Sequence, residues 1–316
     1  MFKVGIIIPC YRASGLINNV VENILSIEAC MRDDFNLKIY IIDDSCPEKS
    51  WLEVKKNKIV KILRHNHNKG VGASTITGFK AAISDECNAF VKLDADGQHN
   101  PIYLKEIIPY LFSLPNHKLV LLKGTRYFSP NLAKGIPFLR RFGSLFLEPI
   151  ARAALSYRKL TDIANGYLAL NLNTLEHLLA MELGPKLKSR YLFESSILEK
   201  CSDLNCEVHE FAMASHYPKE WKSSMKSIQV IIPLTIFWIK AIFNRLVNNY
   251  ILSLNLGTTL IILSLSSLSF ALNLYFSRIY KEIASGILVS AGTSAAFTSA
   301  ITIFLLAFCL FLFYDY

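Results

Sequence analysis

The chain has 316 residues, a formal net charge of +9 and a hydrophobic fraction of 52%. This composition excludes an intrinsically disordered chain and argues against a protein that only binds nucleic acid. It favours contact with a membrane surface or with anionic substrates. The seven cysteines are scattered and form no Cys-x-x-Cys pair, so we expect reduced thiols in a cytosolic compartment.

The first half of the chain alternates apolar runs with amphipathic segments. The runs predicted as strands are KVGIIIPC, LKIYIIDDS, IVKILRH, AFVKLD and KLVLLKGTR, and the segments predicted as helices are GLINNVVENILSIEAC, GVGASTITGFKAAISDEC and IYLKEIIPYLFSL. Continuous Val, Ile and Leu runs separated by helices indicate an α/β fold with a mostly parallel, doubly wound sheet. No Gly-x-Gly-x-x-Gly follows the first strand, which disfavours a dinucleotide-binding fold of the dehydrogenase type.

Polar clusters follow the predicted strands, at the sheet edge where such folds bind ligands: PCYR, DDSC, HNHNKG, DADGQH and KGTRY. In DADGQH, an extended backbone would place Asp94, Asp96 and Gln98 on one face. Such hard oxygen ligands suit Mg²⁺ or Mn²⁺ carrying a diphosphate. The alternative is an Asp-Gly turn that merely ends a strand.

The second half of the chain becomes basic and then strongly apolar. FLRRFGSLFLEPIARAALSYRKL is predicted to be a helix with a basic component, NGYLALN a strand and LFESSILEKCSDL a helix. The basic component predicts either a solvated charged face or contact with phosphate or anionic headgroups. The segment 227–250 is apolar but interrupted by Pro233, Lys240 and Arg245, so we expect amphipathic helices in the membrane interface.

Two long windows without charge predict transmembrane helices over Ser253–Phe276 and Ile287–Phe313. The basic upstream flank predicts that both ends of this hairpin face the cytoplasm. The start of the chain does not read as a signal peptide. We therefore expect a cytoplasmic domain over 1–226, interfacial helices over 227–250 and a transmembrane hairpin over 251–316, as a multi-pass protein of the cytoplasmic (inner) membrane.

Together the motifs resemble those of the family 2 glycosyltransferases, and among them the polyprenyl-phosphate (dolichyl-phosphate-type) sugar synthases with a C-terminal two-helix membrane anchor. The similarity covers most of residues 1–226 and implies a GT-A-like, nucleotide-sugar-binding sheet. It rests on IIPCYR, IIDDSCPE, NKGVGAS, DADGQH, GTRY and TDIANGY. The chain departs from the family pattern at Arg12-Ala13, where Asn-Glu is usual, and at Ser45-Cys46, where Gly-Ser is usual.

The resemblance assigns roles to the matched residues. Asp96 and Gln98 would hold Mg²⁺ or Mn²⁺, and Asp94 would contact the metal or the ribose. The residues expected to bind substrate are Pro9, Tyr11, Asp43, Asp44, Asn68, Gly70, Asp94, Ala95, Arg126, Arg140, Arg141 and Lys226. Those expected to act in catalysis are Asp94, Asp96, Arg126 and Glu194.

The expected activity is the inverting, metal-dependent transfer of one sugar per turnover from a UDP- or GDP-sugar to a polyprenyl phosphate, for cell-envelope glycan synthesis or modification. A lipid phosphate is already anionic and needs cations rather than a base. Membrane lipids are expected partners and nucleic acid is not. Self-association through the membrane helices is a further expectation of the resemblance.

Two other functions stay open. The acceptor could be a hydroxyl of a lipid-linked saccharide, in which case Glu194 or Asp162 would act as the base. Glu194 could instead only stabilise the start of a helix. Alternatively, the chain could be a membrane protein that binds a nucleotide sugar without catalysis.

Overall fold

The structure, a computed structural model, describes residues 2–31, 33–155, 157, 159–181, 192–216, 227–252 and 255–314. The chain divides into two compact units, Met1–Ala241 and Ile242–Tyr316. The boundary between them falls inside the segment 227–250, for which the sequence predicts interfacial helices. Lys226 lies outside the described residues.

The first unit is built on one sheet, to which its described residues contribute seven strands in the order β3-β2-β1-β4-β6-β5-β7. The strands are β1 (Phe2–Cys10), β2 (Phe35–Asp43), β3 (Val60–Arg64), β4 (Ala89–Lys92), β5 (Val120–Thr125), β6 (Leu168–Asn171) and β7 (Glu207–Ala212). Strand β6 runs antiparallel to both of its neighbours, and the other pairs are parallel. The predicted fold class, a mostly parallel sheet followed by apolar helices, is confirmed.

Helices cover both faces of this sheet. They are α1 (Ile17–Met31), α2 (Val71–Ser84), α3 (Leu104–Ser113), α4 (Phe138–Ala154), α5 (Leu172–Ala180) and α6 (Phe193–Asp203). The buried residues of α1 recur at helical spacing, as Ile17, Val20, Val21 and Ile24 show, so one face of the helix packs on the sheet. Ile7 of β1 points to the opposite face and meets α2. Burial on both faces explains why β1 reads as a continuous apolar run.

The C-terminal helices are α7 (Ser227–Leu246), α8 (Leu256–Leu274), α9 (Tyr280–Ala284) and α10 (Ala291–Tyr314). Among the described residues, three helical stretches are long and apolar enough to cross a membrane: Val230–Tyr250, Leu256–Ala284 and Ala291–Leu312. The second and third overlap the two windows predicted to span the membrane. The first lies in the segment predicted to lie in the interface. Within the second unit, α8 and α10 pack against each other.

Candidate active site

The first unit contains a cavity of about 830 Å³ where β1, β4 and β5 end. Its walls come from the segments that follow these strands and from α2, α4, α6 and α7. The predicted site residues that line it are Pro9, Tyr11, Asp44, Asn68, Gly70, Asp94, Ala95, Asp96, Gln98, Arg126, Arg140 and Glu194. Asp43 and Arg141 do not line it, and Lys226 is outside the described residues.

The paired aspartates at the end of β2, Asp43 and Asp44, bind neighbouring segments of the chain. Asp44 Oδ1 accepts a hydrogen bond from the backbone N of Lys69 at 2.8 Å, and Asp44 Oδ2 accepts one from the N of Gly70 at 2.8 Å. Asp43 Oδ2 accepts one from Arg64 Nε at 3.2 Å. Both carboxylates are buried. The hydrogen bonds of Asp44 fix the backbone just before α2, and that of Asp43 ties the end of β2 to β3. Both residues were expected to bind substrate.

The DADGQH segment forms a turn, so the expected extended backbone is wrong. Strand β4 ends at Lys92, and the chain turns over residues 95–97. Gly97 takes a φ of +76°, a left-handed conformation that favours glycine. The turn itself brings Asp96 and Gln98 together, because Asp96 Oδ1 accepts from the N of Gln98 at 3.0 Å and Oδ2 accepts from Gln98 Nε2 at 2.9 Å.

The chemistry of this turn fits a divalent cation that arrives with a substrate. A carboxylate and an amide oxygen are hard ligands, and Mg²⁺ commonly completes its shell with water and substrate phosphates. The described residues contain no group of three or more His, Cys, Asp or Glu side chains placed to bind a metal by themselves. The carboxylate of Asp96 and the side-chain amide oxygen of Gln98 are the metal ligands that the turn would offer.

A buried lysine that sequence analysis missed lies under this turn. Lys92 is 1% exposed, and its Nζ lies 2.9 Å from Asp94 Oδ1 and 2.8 Å from Glu194 Oε1. Burial by itself would lower the pKa of Lys92, but the two carboxylates raise it overall. Burial would likewise raise the pKa of Asp94, and the Lys92 ammonium lowers it to about 2. The site therefore holds a charged bridge between β4 and the start of α6.

His99 supports the turn as a neutral ring. Its Nδ1 accepts a hydrogen bond from the backbone N of Asp94 at 3.0 Å, and its ring packs on Tyr167 with 5.3 Å between centroids. Burial lowers the pKa of His99 to about 4. The imidazole is therefore uncharged at neutral pH and positions the backbone that leads into the turn.

Arg126 is held in a fork by Asp162. Arg126 Nε donates to Asp162 Oδ2 at 2.7 Å, and Nη2 donates to Oδ1 at 2.8 Å. Asp162 is fully buried and does not line the cavity, whereas Arg126 does. Burial would raise the pKa of Asp162, but the guanidinium lowers it overall. This geometry disfavours Asp162 as a base and makes it the residue that orients Arg126.

Helix α4 presents two different faces. Arg140, Gly143 and Leu147 line the cavity. The other face is exposed but apolar, a surface made of Phe138, Phe142, Leu145 and Phe146. A helix with a basic component was predicted here, and the apolar surface was not expected.

The cavity lining combines charged and apolar side chains. The carboxylates of Asp94, Asp96 and Glu194 lie in it together with the buried Lys92. Its apolar side chains come from α4, from α7 and from the loop before α4: Ile136, Leu139, Leu147, Val230, Ile231 and Leu234. Arg126 and Arg140 also face this space. A ligand with an anionic head and an apolar tail would find matching groups here.

Comparison with known proteins agrees with the motifs. Residues 5–137 match the family described as Glycosyl transferase family 2. This part of the chain is thus similar to a glycosyl transferase family 2 domain. The predicted resemblance is thereby confirmed.

Two curated relatives act on dolichyl phosphates, according to their names. The chain is 31% identical over 187 residues to a dolichol-phosphate mannosyltransferase of Pyrococcus furiosus, an alignment that covers 58% of this chain and 49% of that protein. It is 28% identical over 250 residues to a UDP-N-acetylglucosamine–dolichyl-phosphate N-acetylglucosaminyltransferase of Methanococcus voltae, with coverage of 74% and 92%. The chain thus spans about half the length of the first relative.

Among solved structures, the chain is similar to mannosyl-3-phosphoglycerate synthase from Rubrobacter xylanophilus. The TM-score is 0.49 at 10% sequence identity, and the match covers 78% of this chain and 75% of that one.

Proposed function

We propose that the chain is a membrane-anchored glycosyltransferase that moves one sugar per turnover from a nucleotide-sugar donor to a polyprenyl phosphate, with inversion at the anomeric carbon. The observation that carries the proposal is the cavity, where the Asp96–Gln98 turn, the guanidinium groups of Arg126 and Arg140 and an apolar wall face one space. The family 2 domain and the names of the two relatives support the same reaction class.

The donor would bind at the acidic part of the cavity. Asp96 and Gln98 would hold Mg²⁺ or Mn²⁺, which when bound would neutralise charge on the departing nucleoside diphosphate. Pro9 and Tyr11, at the end of β1 and just after it, and Gly70, before α2, line the part of the cavity proposed for the nucleotide. UDP- and GDP-sugars are the donors that we propose to test first.

The acceptor phosphate would approach from the side of the two arginines. A phosphate oxygen attacks the anomeric carbon in line, the bond from that carbon to the diphosphate breaks, and its electron pair leaves with the diphosphate. The nucleophile is anionic at neutral pH, so no proton has to be removed. Arg126, oriented by Asp162, and Arg140 would pair with the lipid phosphate through charge-assisted hydrogen bonds. Lys226 stays a predicted further contact.

A second candidate reaction uses a sugar hydroxyl as nucleophile and Glu194 as general base. The position of Glu194 in the cavity wall favours this alternative. Against it, Glu194 Oε1 already accepts a hydrogen bond from Lys92 Nζ at 2.8 Å. We therefore place the hydroxyl acceptor second.

Membrane anchoring is part of the proposal. Helices α8 and α10 would form the anchor, and the catalytic part would face the cytoplasm. The length and hydropathy of Leu256–Ala284 and Ala291–Leu312 support spanning helices. The exposed apolar surface of α4 supports a location of the catalytic part at the bilayer interface.

The direct test incubates the detergent-purified full chain with a panel of UDP- and GDP-sugars, a polyprenyl phosphate and Mg²⁺ or Mn²⁺, and identifies the glycolipid by mass. We expect a product whose new bond is cleaved by mild acid, as in a glycosyl phosphate. A product that resists mild acid would support the hydroxyl acceptor. Donor binding without any transfer would support the non-catalytic alternative.

A further inference from the structure

The Lys92 ammonium connects two carboxylates that come from distant parts of the sequence. Asp94 lies two residues after β4, and Glu194 lies in the first turn of α6. The Asp94 side chain is 35% exposed and that of Glu194 15% exposed, whereas Lys92 lines the same cavity but is only 1% exposed. The ammonium is thus placed to act on ligands mainly through its two partners.

The backbone of Gly166 lies against the Lys92 ammonium and the two carboxylates that it contacts. A Cβ atom built on Gly166 would lie 2.6 Å from Lys92 Nζ, 3.1 Å from Glu194 Oε1 and 3.2 Å from Asp94 Oδ2. A larger residue at this position would require the ammonium to move. Glycine at position 166 therefore leaves room for the bridge as the structure has it.

The charges explain what the bridge would do for an anionic donor. Asp94, Glu194 and Lys92 together carry one net negative charge, and Asp96 adds another close by. Without Lys92, two uncompensated carboxylates would face the diphosphate of the donor in a partly buried site, where repulsion is poorly screened. Each carboxylate would also lose the partner that fixes its position.

We propose that Lys92 is a positioning residue that holds Asp94 and Glu194 in place and offsets their charge, so that a nucleoside diphosphate can bind beside them. The inference rests on the proposed function, in which the cavity binds a nucleotide-sugar donor. It gives Glu194 the role of counter-ion to Lys92 rather than that of a base.

The test measures the binding of UDP and of GDP, with Mg²⁺, to the detergent-purified full chain by calorimetry. We expect Lys92→Met to weaken binding of the preferred nucleotide roughly tenfold to a hundredfold, the effect of losing one or two charge-assisted interactions. The double variant Lys92→Met/Glu194→Gln removes the ammonium and one carboxylate together. It should recover most of the lost affinity and bind within about threefold of Glu194→Gln alone.

A merely structural role for Lys92 gives the opposite result, because the second substitution would then add to the damage. Equal affinity of Lys92→Met and the wild type, or no recovery in the double variant, would overturn the inference. Lys123→Met is the matched control, since Lys123 is also fully buried in the first unit and donates to the backbone O of Asn165 rather than to a carboxylate. Lys123 feels the Glu194 charge only through space, so adding Glu194→Gln to Lys123→Met should recover much less affinity than adding it to Lys92→Met.

Gly166→Ala provides a second and independent route. The added methyl group should displace the ammonium and weaken binding as Lys92→Met does. Methionine ends one atom short of the lysine Nζ, so Gly166→Ala in the Lys92→Met background should cause little further loss. Additive losses would contradict the bridge.

The outcomes separate this inference from the proposed function. If the wild type binds a nucleotide but forms no glycolipid, the proposed transfer fails while the binding series still decides the role of Lys92. If the double variant recovers binding but not turnover, the bridge stands and Glu194 becomes the base of the second candidate reaction. A wild-type chain that binds neither nucleotide overturns both.

Discussion

Asp96 and Gln98 owe their proximity to a turn of a few residues, so a change at Asp96 should affect chemistry more than folding. We expect Asp96→Asn to slow turnover strongly, by about several kcal/mol of lost transition-state stabilisation. The reason is that it removes the carboxylate of the proposed metal–diphosphate contact. The thermal unfolding midpoint should change little, since the amide still accepts a hydrogen bond. Turnover and unfolding of the two proteins check this expectation, and unchanged wild-type rates in excess EDTA would contradict metal dependence.

Arg140 and Arg141 are neighbours in sequence with different positions. Arg140 lines the cavity, whereas Arg141 is exposed and does not. We expect Arg140→Ala to lower kcat/KM for polyprenyl phosphate by roughly tenfold to a hundredfold, the worth of one or two charge-assisted hydrogen bonds. Arg141→Ala is the matched control and should have a clearly smaller effect. Equal effects of the two variants would argue for a diffuse basic surface instead of a phosphate site.

Lys123 predicts a specific dependence of stability on pH. Burial lowers the pKa of Lys123 to about 8, below the ordinary value of 10.5. Below pH 8 both the folded and unfolded states bind this proton, and the cost of burying the charge is fully present. Between these two pKa values the unfolded state binds more protons, so the stability of the folded state rises with pH.

Lys123→Met removes this titration. The wild type should therefore gain stability relative to Lys123→Met by about 2 kcal/mol between pH 7.5 and pH 9.5, which unfolding in detergent at the two pH values would measure. A difference in stability between the two proteins that is the same at both pH values would contradict the lowered pKa of Lys123.

The sequence predicts some residues of the site but not others. The motifs locate Asp96, Gln98 and Arg126, because short polar runs follow apolar strands. Lys92 was not predicted as a site residue, because it lies inside the apolar run AFVKLD and has the pattern of an ordinary strand residue. Its role depends on Glu194, which is 102 residues away in the sequence. Nothing local in either segment indicates that pairing.

At the scale of elements, strands and helices with strong periodicity could be predicted and weakly patterned ones could not. The five apolar runs of the first half all form strands, and NGYLALN contributes β6. Strand β7 was missed because Glu207, His209 and Glu210 interrupt its apolar pattern. It needs no such pattern, since it pairs only with β5 at the edge of the sheet.

Helix α4 carries a prediction of its own. Its exposed surface of Phe138, Phe142, Leu145 and Phe146 would be costly in water and is typical of a helix that enters the bilayer interface. In liposomes that contain brominated lipids, we expect the added fluorescence of Phe142→Trp to be quenched. Phe128→Trp is the matched control, because Phe128 is also exposed but lies outside α4. No quenching at Phe142→Trp would place the α4 surface away from lipid, and equal quenching at both positions would show that lipid contact is not specific to α4.

At the scale of the whole molecule, uncharged apolar segments are easier to interpret from the sequence than the segment 227–250, which mixes apolar and charged residues. The two uncharged windows overlap helices that are long and apolar enough to cross a membrane, because an unbroken apolar stretch of this length is a strong pattern in the sequence. The segment 227–250 was predicted to form interfacial helices, and the structure has one continuous helix over Ser227–Leu246 that contains Pro233. The tertiary setting of α7, which buries Leu234, Phe237 and Trp238, outweighs the local helix-breaking signal.

The division into two units leads to a final prediction about truncation. A chain that ends at Ala241 keeps the whole sheet and the α7 residues that line the cavity, Val230, Ile231 and Leu234. In detergent it should bind nucleotide with wild-type affinity, because the sheet has its own core. Without α8 and α10, its activity on polyprenyl phosphate in vesicles should fall at least about tenfold, since anchoring supplies effective concentration. On detergent-solubilised acceptor the two proteins should be alike. Full activity of the truncated chain on vesicles would mean that the C-terminal helices contribute nothing to the meeting of enzyme and lipid.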